Sequence, residues 1–465
     1  MDVKGEGFSV KVIKTEVVAP KQLWHDHWLP LTNLDLLVPP FDVGSFFCYK
    51  KSHESDDITT ILDALKTSLS QALALFYPLA GKIVRTTAGE PEIHCNNKGV
   101  LFTEASADVE LWDLNFYNPN ECMEGKLMPK RHHGVLAIQV TMLKCGGMVI
   151  ACMFDHRVAD GYSANMFVSS WADMTRSDPP SFLPSFRRSI LNARRPTVYS
   201  TSVSNVFLPL SHLPSLETDP TRESELNQLD SLLNRIYYVE GHQLKRLQVL
   251  ASENGCRRSK LESFTSFLWK ITASFLEYSG HHGRMCNIAV AVDGRTRLSE
   301  GEGEEREKLM AEHFGNVLSI PFGAIRSKNL KEMSLPLVAN EVHKFLRNAA
   351  TKEHFMELID WVEDQRPKPL ISRPFAGTEN AFAIMVSSGQ RFSIMDKMDF
   401  GWGKLVFGSC YVPVARKDCY VMTMASPMNE DDWIVYMHLT GNHLNYMEAH
   451  ASHLLKPLTI DYLKF

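Results

Sequence analysis

The sequence predicts a mixed α/β fold in two domains. Apolar runs typical of buried strands alternate with amphipathic helical patterns, and a chain of 465 residues, 44% of them hydrophobic, is too long for one core. The alternation is irregular, which fits mixed layers of strands and helices better than a doubly wound parallel sheet. We expect an N-terminal domain at residues 1–180, a crossover linker at residues 181–222 and a C-terminal domain at residues 223–465.

The N-terminal domain is predicted to hold a sheet covered by helices. Residues 8–18 and 43–49 have strand patterns, and residues 136–143 and 148–154 are apolar runs joined by a Gly-Gly turn, a hairpin signal. One helix is predicted from Ser55, its expected cap, to a point before Pro78, because apolar residues recur on one helical face: Ile58, Ile61, Leu62, Leu65, Leu69, Leu73 and Phe76. A second helical pattern begins after Gly161.

The second half begins after a stretch rich in Pro, Ser and Thr, which breaks helices and buries little surface. The patterns beyond it predict helices at residues 244–252, 261–275 and 335–349. Strands are predicted at residues 285–292, 381–388, 419–424 and 433–439. Residues 299–308 are acidic and contain glycines, so a solvated loop is expected there.

Composition excludes several classes of protein. The net charge of −5, from 49 basic and 54 acidic residues, gives no nucleic-acid footprint. The nine cysteines include no C-x-x-C pair and indicate thiols in a reducing compartment. No secretory h-region and no run of about 18 apolar residues is present. We therefore expect a soluble cytoplasmic protein without membrane or nucleic-acid partners, and the charge balance says little about small-molecule substrates.

Several signatures of enzyme chemistry are missing. The chain has no G-x-S-x-G elbow and no phosphate-cradling G-x-x-x-x-G-K-[ST] loop. His53 and Glu54 lack the second histidine of H-E-x-x-H, and the other histidine pairs lack the spacing of zinc ligands. No metal site is expected.

The most informative stretch is His156-Arg157-Val158-Ala159-Asp160-Gly161, at the exit of a predicted buried strand. A histidine there can present its imidazole to a cleft, and Gly161 can make the turn into the following helix. This chemistry suits a general base acting on an alcohol or amine. Taken alone, a histidine at a strand end is more often structural, because its environment decides its role.

Residues 156–161, together with Asp399-Phe400-Gly401-Trp402-Gly403 far downstream, resemble the two signatures of the plant BAHD acyl-CoA-dependent acyltransferases. Residues 31–35, 76–81, 293–298 and 314–316 resemble further runs of that family. The resemblance implies two chloramphenicol-acetyltransferase-like domains with a channel between them. It also implies a monomer that uses acyl-CoA as co-substrate, with no permanently bound cofactor. His156 would be the base.

The resemblance also implies roles for other residues. Asp160 would turn away from the channel and pair with Arg295, or second with Arg297, to support His156. Asp399 and residues 400–403 would be structural, near the CoA side.

Coenzyme A phosphates would meet residues at the start of a predicted helix: Arg257, Arg258, Ser259 and Lys260. The alternative for the two arginines is an ordinary solvated turn. Ser387 and Ser388 would lie at the acceptor pocket. Gly389 departs from the family, where tryptophan is common, and leaves the oxyanion donor unassigned.

Three functions remain open from the sequence. The first is transfer of an acyl group to a hydroxyl of a plant specialised metabolite, such as a phenylpropanoid alcohol. The second is the same chemistry on an amine. The third is a non-catalytic small-molecule binding protein, which would not need His156, Asp160 and Gly161.

Overall fold

The chain folds around two large β-sheets of mixed strand direction. The computed structural model describes residues 7–51, 57–212, 231–253, 255–376, 381–390, 397–413 and 419–464. The strands in these ranges are β1 (Val10–Val18), β2 (His27–Pro30), β3 (Asp42–Lys51), β4 (Lys82–Arg85), β5 (Pro91–Cys95), β6 (Val100–Ala107), β7 (Leu136–Leu143), β8 (Met148–Asp155), β9 (Phe207–Pro209), β10 (Leu232–Val239), β11 (Met285–Val290), β12 (Val292–Asp293), β13 (Leu318–Ser319), β14 (Phe322–Arg326), β15 (Leu370–Ser372), β16 (Phe382–Ser388), β17 (Gly403–Tyr411), β18 (Cys419–Ala425), β19 (Trp433–Thr440) and β20 (Lys456–Pro457).

The helices of the same ranges pack on these sheets or connect them. They are α1 (Ile58–Leu75), α2 (Pro119–Cys122), α3 (Gly161–Thr175), α4 (Thr201–Ser204), α5 (Gly241–Ala251), α6 (Lys260–Tyr278), α7 (Arg295–Ser299), α8 (Glu304–Glu312), α9 (Ser327–Glu332), α10 (Leu335–Ala349), α11 (Lys352–Gln365), α12 (Gly441–Ala451) and α13 (Ile460–Leu463).

The first large sheet has the strand order β1-β6-β7-β8-β3-β17. Its neighbours are antiparallel except for β6 and β7, which are parallel. The edge strand β17 comes from the segment expected to belong to the C-terminal domain and pairs with β3. The domain limits stay a prediction, and the expected boundary at residue 222 lies outside the described residues.

Two helices cover one face of this sheet. The Asp57 side chain caps α1 by accepting a hydrogen bond from the Thr60 N–H at 3.1 Å, and the expected cap Ser55 lies outside the described residues. The leucines at one face of α1 are buried, as their spacing predicts. The indole of Trp171 on α3 donates to the Leu65 carbonyl at 3.1 Å, so the two helices are held together through the core.

The second large sheet has the strand order β14-β11-β16-β18-β19-β10-β20. The strands β11, β16 and β18 run parallel to one another. Helix α6 lies across the sheet, and its Trp269 indole donates to the Cys286 carbonyl of β11 at 3.0 Å. A third core, with Phe46, Met153, Met424 and Tyr436, joins residues of both large sheets.

The described part of the linker, residues 181–212, is packed rather than loose. Ile190, Leu191 and Phe207 are buried in a core with helix α11. Arg194 donates to Asp360 of α11 from its backbone N–H at 2.8 Å and from Nε at 2.7 Å.

The prediction of a solvated loop at residues 299–308 is wrong for the second half of that range, where helix α8 begins. Three glutamates occupy the first turn of α8. Their charges interact favourably with the positive end of the helix dipole, so the acidic composition stabilises a helix here.

Across the described ranges, no helix has the length and apolar content needed to span a membrane.

Candidate active site

His156 lies in the short turn between β8 and α3. All eight residues of β8 are buried, and the strand is held between β3 and β7. The His156 N–H donates to the Phe41 carbonyl at 3.1 Å, and the imidazole meets the Phe41 ring edge-on with centroids 5.0 Å apart. His156 keeps part of its surface exposed, whereas Asp155 and Asp160 are 1% and 2% exposed. Of these three side chains, the turn therefore exposes that of His156 and buries the two carboxylates.

Asp155 anchors the first end of this turn. Its carboxylate accepts from Arg157 Nε at 2.9 Å and Nη2 at 2.7 Å, and it pairs with Arg131 at 3.2 Å. Arg131 also pairs with Asp42 of β3 at 2.6 Å. A buried carboxylate with two guanidinium partners is satisfied and leaves no free acid beside His156.

Asp160 anchors the other end and joins the two halves of the chain. It caps α3 by accepting from the Ser163 N–H at 2.9 Å. It also accepts from Arg295 Nη1 at 2.8 Å and Nη2 at 3.2 Å, and from the Val317 N–H at 3.2 Å. The structure thus brings Asp160 together with Arg295, the first of the two arginines that the resemblance suggested.

Arg295 is itself buried, and both of its terminal nitrogens donate hydrogen bonds. It is 3% exposed, and its Nη2 donates further to Ser163 Oγ at 3.1 Å and to the Gly315 carbonyl at 2.9 Å. Burial acts to lower the pKa of Arg295, but Asp160 and Asp293 more than offset it, so that pKa is raised. Arg295 stays charged and holds α3 against the segment around Gly315.

The electrostatics of the site favour a neutral imidazole. Burial lowers the pKa of His156, while its own backbone, Asp160 and Asn316 oppose that shift in part. Because its pKa is lowered, the imidazole is neutral near neutral pH, and the ring nitrogen that bears no hydrogen can accept a proton.

Two residues for which sequence analysis predicts no role lie at this turn in the structure, Asp35 and Asn316. Asn316 Nδ2 donates to the His156 carbonyl at 2.9 Å and to Asp35 Oδ1 at 3.0 Å. Asp35 is fully buried. Both residues lie in runs that resemble the family, which was the available signal, but nothing in the sequence tells that they meet.

Residues 399–403 lie on the helix-covered face of the first sheet. Phe400 is 1% exposed and meets Trp171 of α3 edge-on with ring centroids 4.9 Å apart. Gly401 has φ of 95°, its N–H donates to Asp399 Oδ1 at 2.8 Å, and Arg176 donates to the Asp399 carbonyl. Gly403 begins β17. The contacts found among the described residues tie this turn to the core rather than to His156.

The four residues predicted for coenzyme A cluster at the start of α6. Ser259 and Glu262 form a capping box, with bonds of 3.1 Å and 2.7 Å. Lys260 pairs with Asp431 at 3.2 Å, and Arg258 donates to Asn340. Arg257 lines a surface groove of about 480 Å³ beside α5. Of the four, Arg257 alone borders this groove.

Ser387 and Ser388 end strand β16, which pairs there with β18. Val386, whose side chain belongs to the core under α6, shares its face of the strand with Ser388. Successive side chains of a strand point to opposite faces, so Ser387 faces the other way. Only one of the two serines can therefore face a given pocket.

Comparison with known proteins agrees with this architecture. The profile of the Transferase family matches residues 8–454. Shikimate O-hydroxycinnamoyltransferase of Nicotiana tabacum is 26% identical over 451 residues, which cover 94% of this chain and 97% of that protein. Hydroxycinnamoyl-CoA:5-hydroxyanthranilate N-hydroxycinnamoyltransferase HHT1 of Avena sativa is 28% identical over 387 residues, covering 81% and 84%.

The crystal structure of vinorine synthase has the same fold, with a TM-score of 0.69 at 19% identity over 96% of this chain and 98% of that chain. The mixed α/β acyltransferase fold expected from the resemblance is therefore confirmed. Since the family profile spans nearly the whole length, the chain belongs to the Transferase family, the plant BAHD acyl-CoA-dependent acyltransferases.

Proposed function

We propose that this protein transfers an acyl group from acyl-CoA to a hydroxyl of a plant specialised metabolite, with a phenylpropanoid-type alcohol favoured. Acyl transfer follows from the family, and the oxygen acceptor is supported by the Nicotiana tabacum relative. The observation that carries the proposal is the turn at His156. It fixes both flanking carboxylates with arginines and leaves the imidazole, kept neutral by burial, as the free group.

In the proposed reaction, His156 removes the proton of the acceptor hydroxyl as its oxygen attacks the thioester carbonyl. The tetrahedral intermediate collapses, the C–S bond breaks, and the CoA thiolate takes the proton from the imidazolium. No covalent acyl-enzyme forms. Holding both substrates beside one base contributes orientation, which for well-placed reactants is worth about 7–11 kcal/mol of the barrier.

The supporting residues have separate roles in this proposal. Asp160, Gly161 and Arg295 position the turn, and Asp399 with residues 400–403 maintains the wall where β17 begins. Ser259, Lys260, Arg257 and Arg258 meet the phosphates of acyl-CoA, and Ser387 or Ser388 contacts the acceptor. The protein acts as a cytoplasmic monomer, with domains at residues 1–180 and 223–465 around a shared channel.

A second candidate function is N-acylation of an amine. The printed name of the Avena sativa relative describes transfer to nitrogen, and the same base would serve an amine acceptor. A non-catalytic binding homologue is the third reading, and it predicts that no donor and acceptor pair turns over.

The experiment is a free-thiol release assay with acetyl-, malonyl-, benzoyl- and coumaroyl-CoA, each crossed with alcohol and amine acceptors. Turnover with an alcohol supports the proposal, and turnover with amines only supports the second candidate. His156→Ala should lose activity, whereas the matched variant His453→Ala, at an exposed histidine, should keep it. Full activity in His156→Ala would refute the assignment of the base.

A further inference from the structure

Asp35 is a buried carboxylate behind the His156 turn that the proposed reaction does not use. It is 0% exposed. Its Oδ2 accepts from the Thr32 N–H at 2.9 Å and from Thr32 Oγ1 at 2.8 Å. Its Oδ1 accepts from the N–H and Nδ2 of Asn316 at 2.6 Å and 3.0 Å, and Arg188 Nη1 lies 3.7 Å from Oδ2. Each carboxylate oxygen therefore faces donors only.

These contacts fix the orientation of the Asn316 side-chain amide. Nδ2 lies between Asp35 Oδ1 and the His156 carbonyl oxygen, and both of these atoms only accept hydrogen bonds. If the amide rotated by half a turn, its oxygen would face two other oxygens. Asn316 Nδ2 is thus held in place, and Oδ1 must point the other way.

Two buried atoms, one of Asn316 and one of His156, have no hydrogen-bond partner among the described residues and are complementary as donor and acceptor. Asn316 Oδ1 and His156 Nδ1 are both buried and lack a hydrogen-bond partner in the part of the chain that the structure describes. An amide oxygen can only accept, whereas an imidazole nitrogen can donate when it carries the proton. Burial has the largest effect on the pKa of His156 and lowers it. Its own backbone, Asp160 and the Asn316 side chain act to raise that pKa, and for Asn316 this is the direction that a hydrogen bond to the protonated ring gives.

We propose that Asp35 is a positioning residue that sets the tautomer of His156 through the amide of Asn316. In this proposal the protonated Nδ1 donates to Asn316 Oδ1, so the favoured tautomer carries its proton on Nδ1 and leaves Nε2 free to accept the proton of the substrate. The inference rests on the proposed function of His156 as base and adds the group that prepares it. In a Ser-His-Asp triad, loss of the tautomer-setting carboxylate lowers kcat about 10⁴-fold.

The other charged groups near the imidazole are not altered in this design. Asp155 stays with Arg157 and Arg131, and Asp160 stays with Arg295. A change of tautomer after substitution at residue 35 is then attributable to the amide of Asn316.

The first variant is Asp35→Asn, which keeps the shape of the side chain. In either orientation its new NH₂ group faces donors, of Thr32 or of Asn316. We expect kcat to fall at least about 10-fold, within the range that general-base catalysis contributes, with KM for acyl-CoA unchanged within about twofold. Asn316→Leu removes Oδ1 directly and should likewise lower kcat while leaving KM for acyl-CoA unchanged.

The matched control is Thr32→Val, which removes one hydrogen bond to Asp35 Oδ2 and leaves Oδ1 on Asn316. This control should lower the melting temperature but keep the kcat of the wild type. The direct readout is a long-range ¹H–¹⁵N spectrum of labelled histidines, with the His156 signals assigned by their absence in His156→Ala. The wild type should show the Nδ1–H tautomer, and both Asp35→Asn and Asn316→Leu should lose it.

A wild-type spectrum with the proton on Nε2 would overturn the inference even if the enzyme is active. It would also be overturned if Asp35→Asn or Asn316→Leu folds and keeps wild-type kcat and tautomer. If neither variant folds, the wild-type spectrum alone decides. An inactive wild type with the Nδ1–H tautomer would instead count against the proposed function.

Discussion

Replacing Asp160 by alanine should destabilise the protein rather than remove a reacting group. The substitution takes away the acceptor of four hydrogen bonds and leaves the Arg295 guanidinium, 3% exposed, without its closest carboxylate. Breaking a buried pair on one side costs about 3–5 kcal/mol and losing a helix cap adds about 1 kcal/mol. We expect the free energy of unfolding to fall by about 4–6 kcal/mol.

The assay is urea unfolding followed by tryptophan fluorescence, run beside thiol-release kinetics at a temperature where the variant is still folded. The matched control is Asp360→Ala in α11. Asp360 is fully buried and accepts from Arg194 Nε at 2.7 Å and from the Val198 N–H at 2.9 Å. This control should lose comparable stability yet retain the turnover of its folded fraction.

The reasoning is refuted if Asp160→Ala unfolds at the wild-type urea concentration and has nevertheless lost turnover. That result would make Asp160 a participant in the reaction rather than a support of the turn.

Three further expectations concern the turn at Gly401, the lysine at the start of α6 and the acidity of the base. Gly401→Ala forces φ of 95° on a residue with a side chain and places its methyl group 3.1 Å from Arg176 Cγ. The free energy of unfolding should therefore fall by about 1–2 kcal/mol, and KM for acyl-CoA should rise. The control Gly89→Ala, at φ of 86° in open space, should leave KM unchanged. Lys260→Glu should raise KM for acyl-CoA, whereas Lys308→Glu, at an exposed lysine of α8, should not. An unchanged KM in Lys260→Glu removes that residue from the phosphate site. Because burial lowers the pKa of His156, kcat/KM should hold down to pH 6.5 and decline only below it, and a decline centred above pH 6.5 would contradict this. The unfolded chain takes up this proton first, so His156 also costs stability as pH falls from 6.5 toward its folded pKa.

Much of the local structure was readable from periodicity. Residues 136–143 form β7, and residues 148–154 fall within β8. The leucines of the predicted α1 face are buried as their spacing indicates, whereas Ile58 at its start is exposed. The second half of the acidic stretch at residues 299–308 was misread, because composition alone does not distinguish a solvated loop from a helix whose first turn is acidic.

The site was only partly predictable. His156 and Asp160 stand out because a strand exit, a turn and a helix cap are local features. Asp35 and Asn316 are 281 positions apart, and their contact joins the turn between β2 and β3 to the segment before β13. No pattern in a single sequence predicts a contact over that separation, so the contact became visible only in the structure.

The position of β17 has a consequence for synthesis of the chain on the ribosome. The outer edge of β3 stays without its partner until residues 403–411 have been translated, although the rest of that sheet is complete by residue 155. Unpaired strand edges readily join strands of other chains. A nascent or truncated polypeptide that stops before Gly403 should therefore aggregate through this open edge, and a chaperone that shields it should raise the yield of full-length protein.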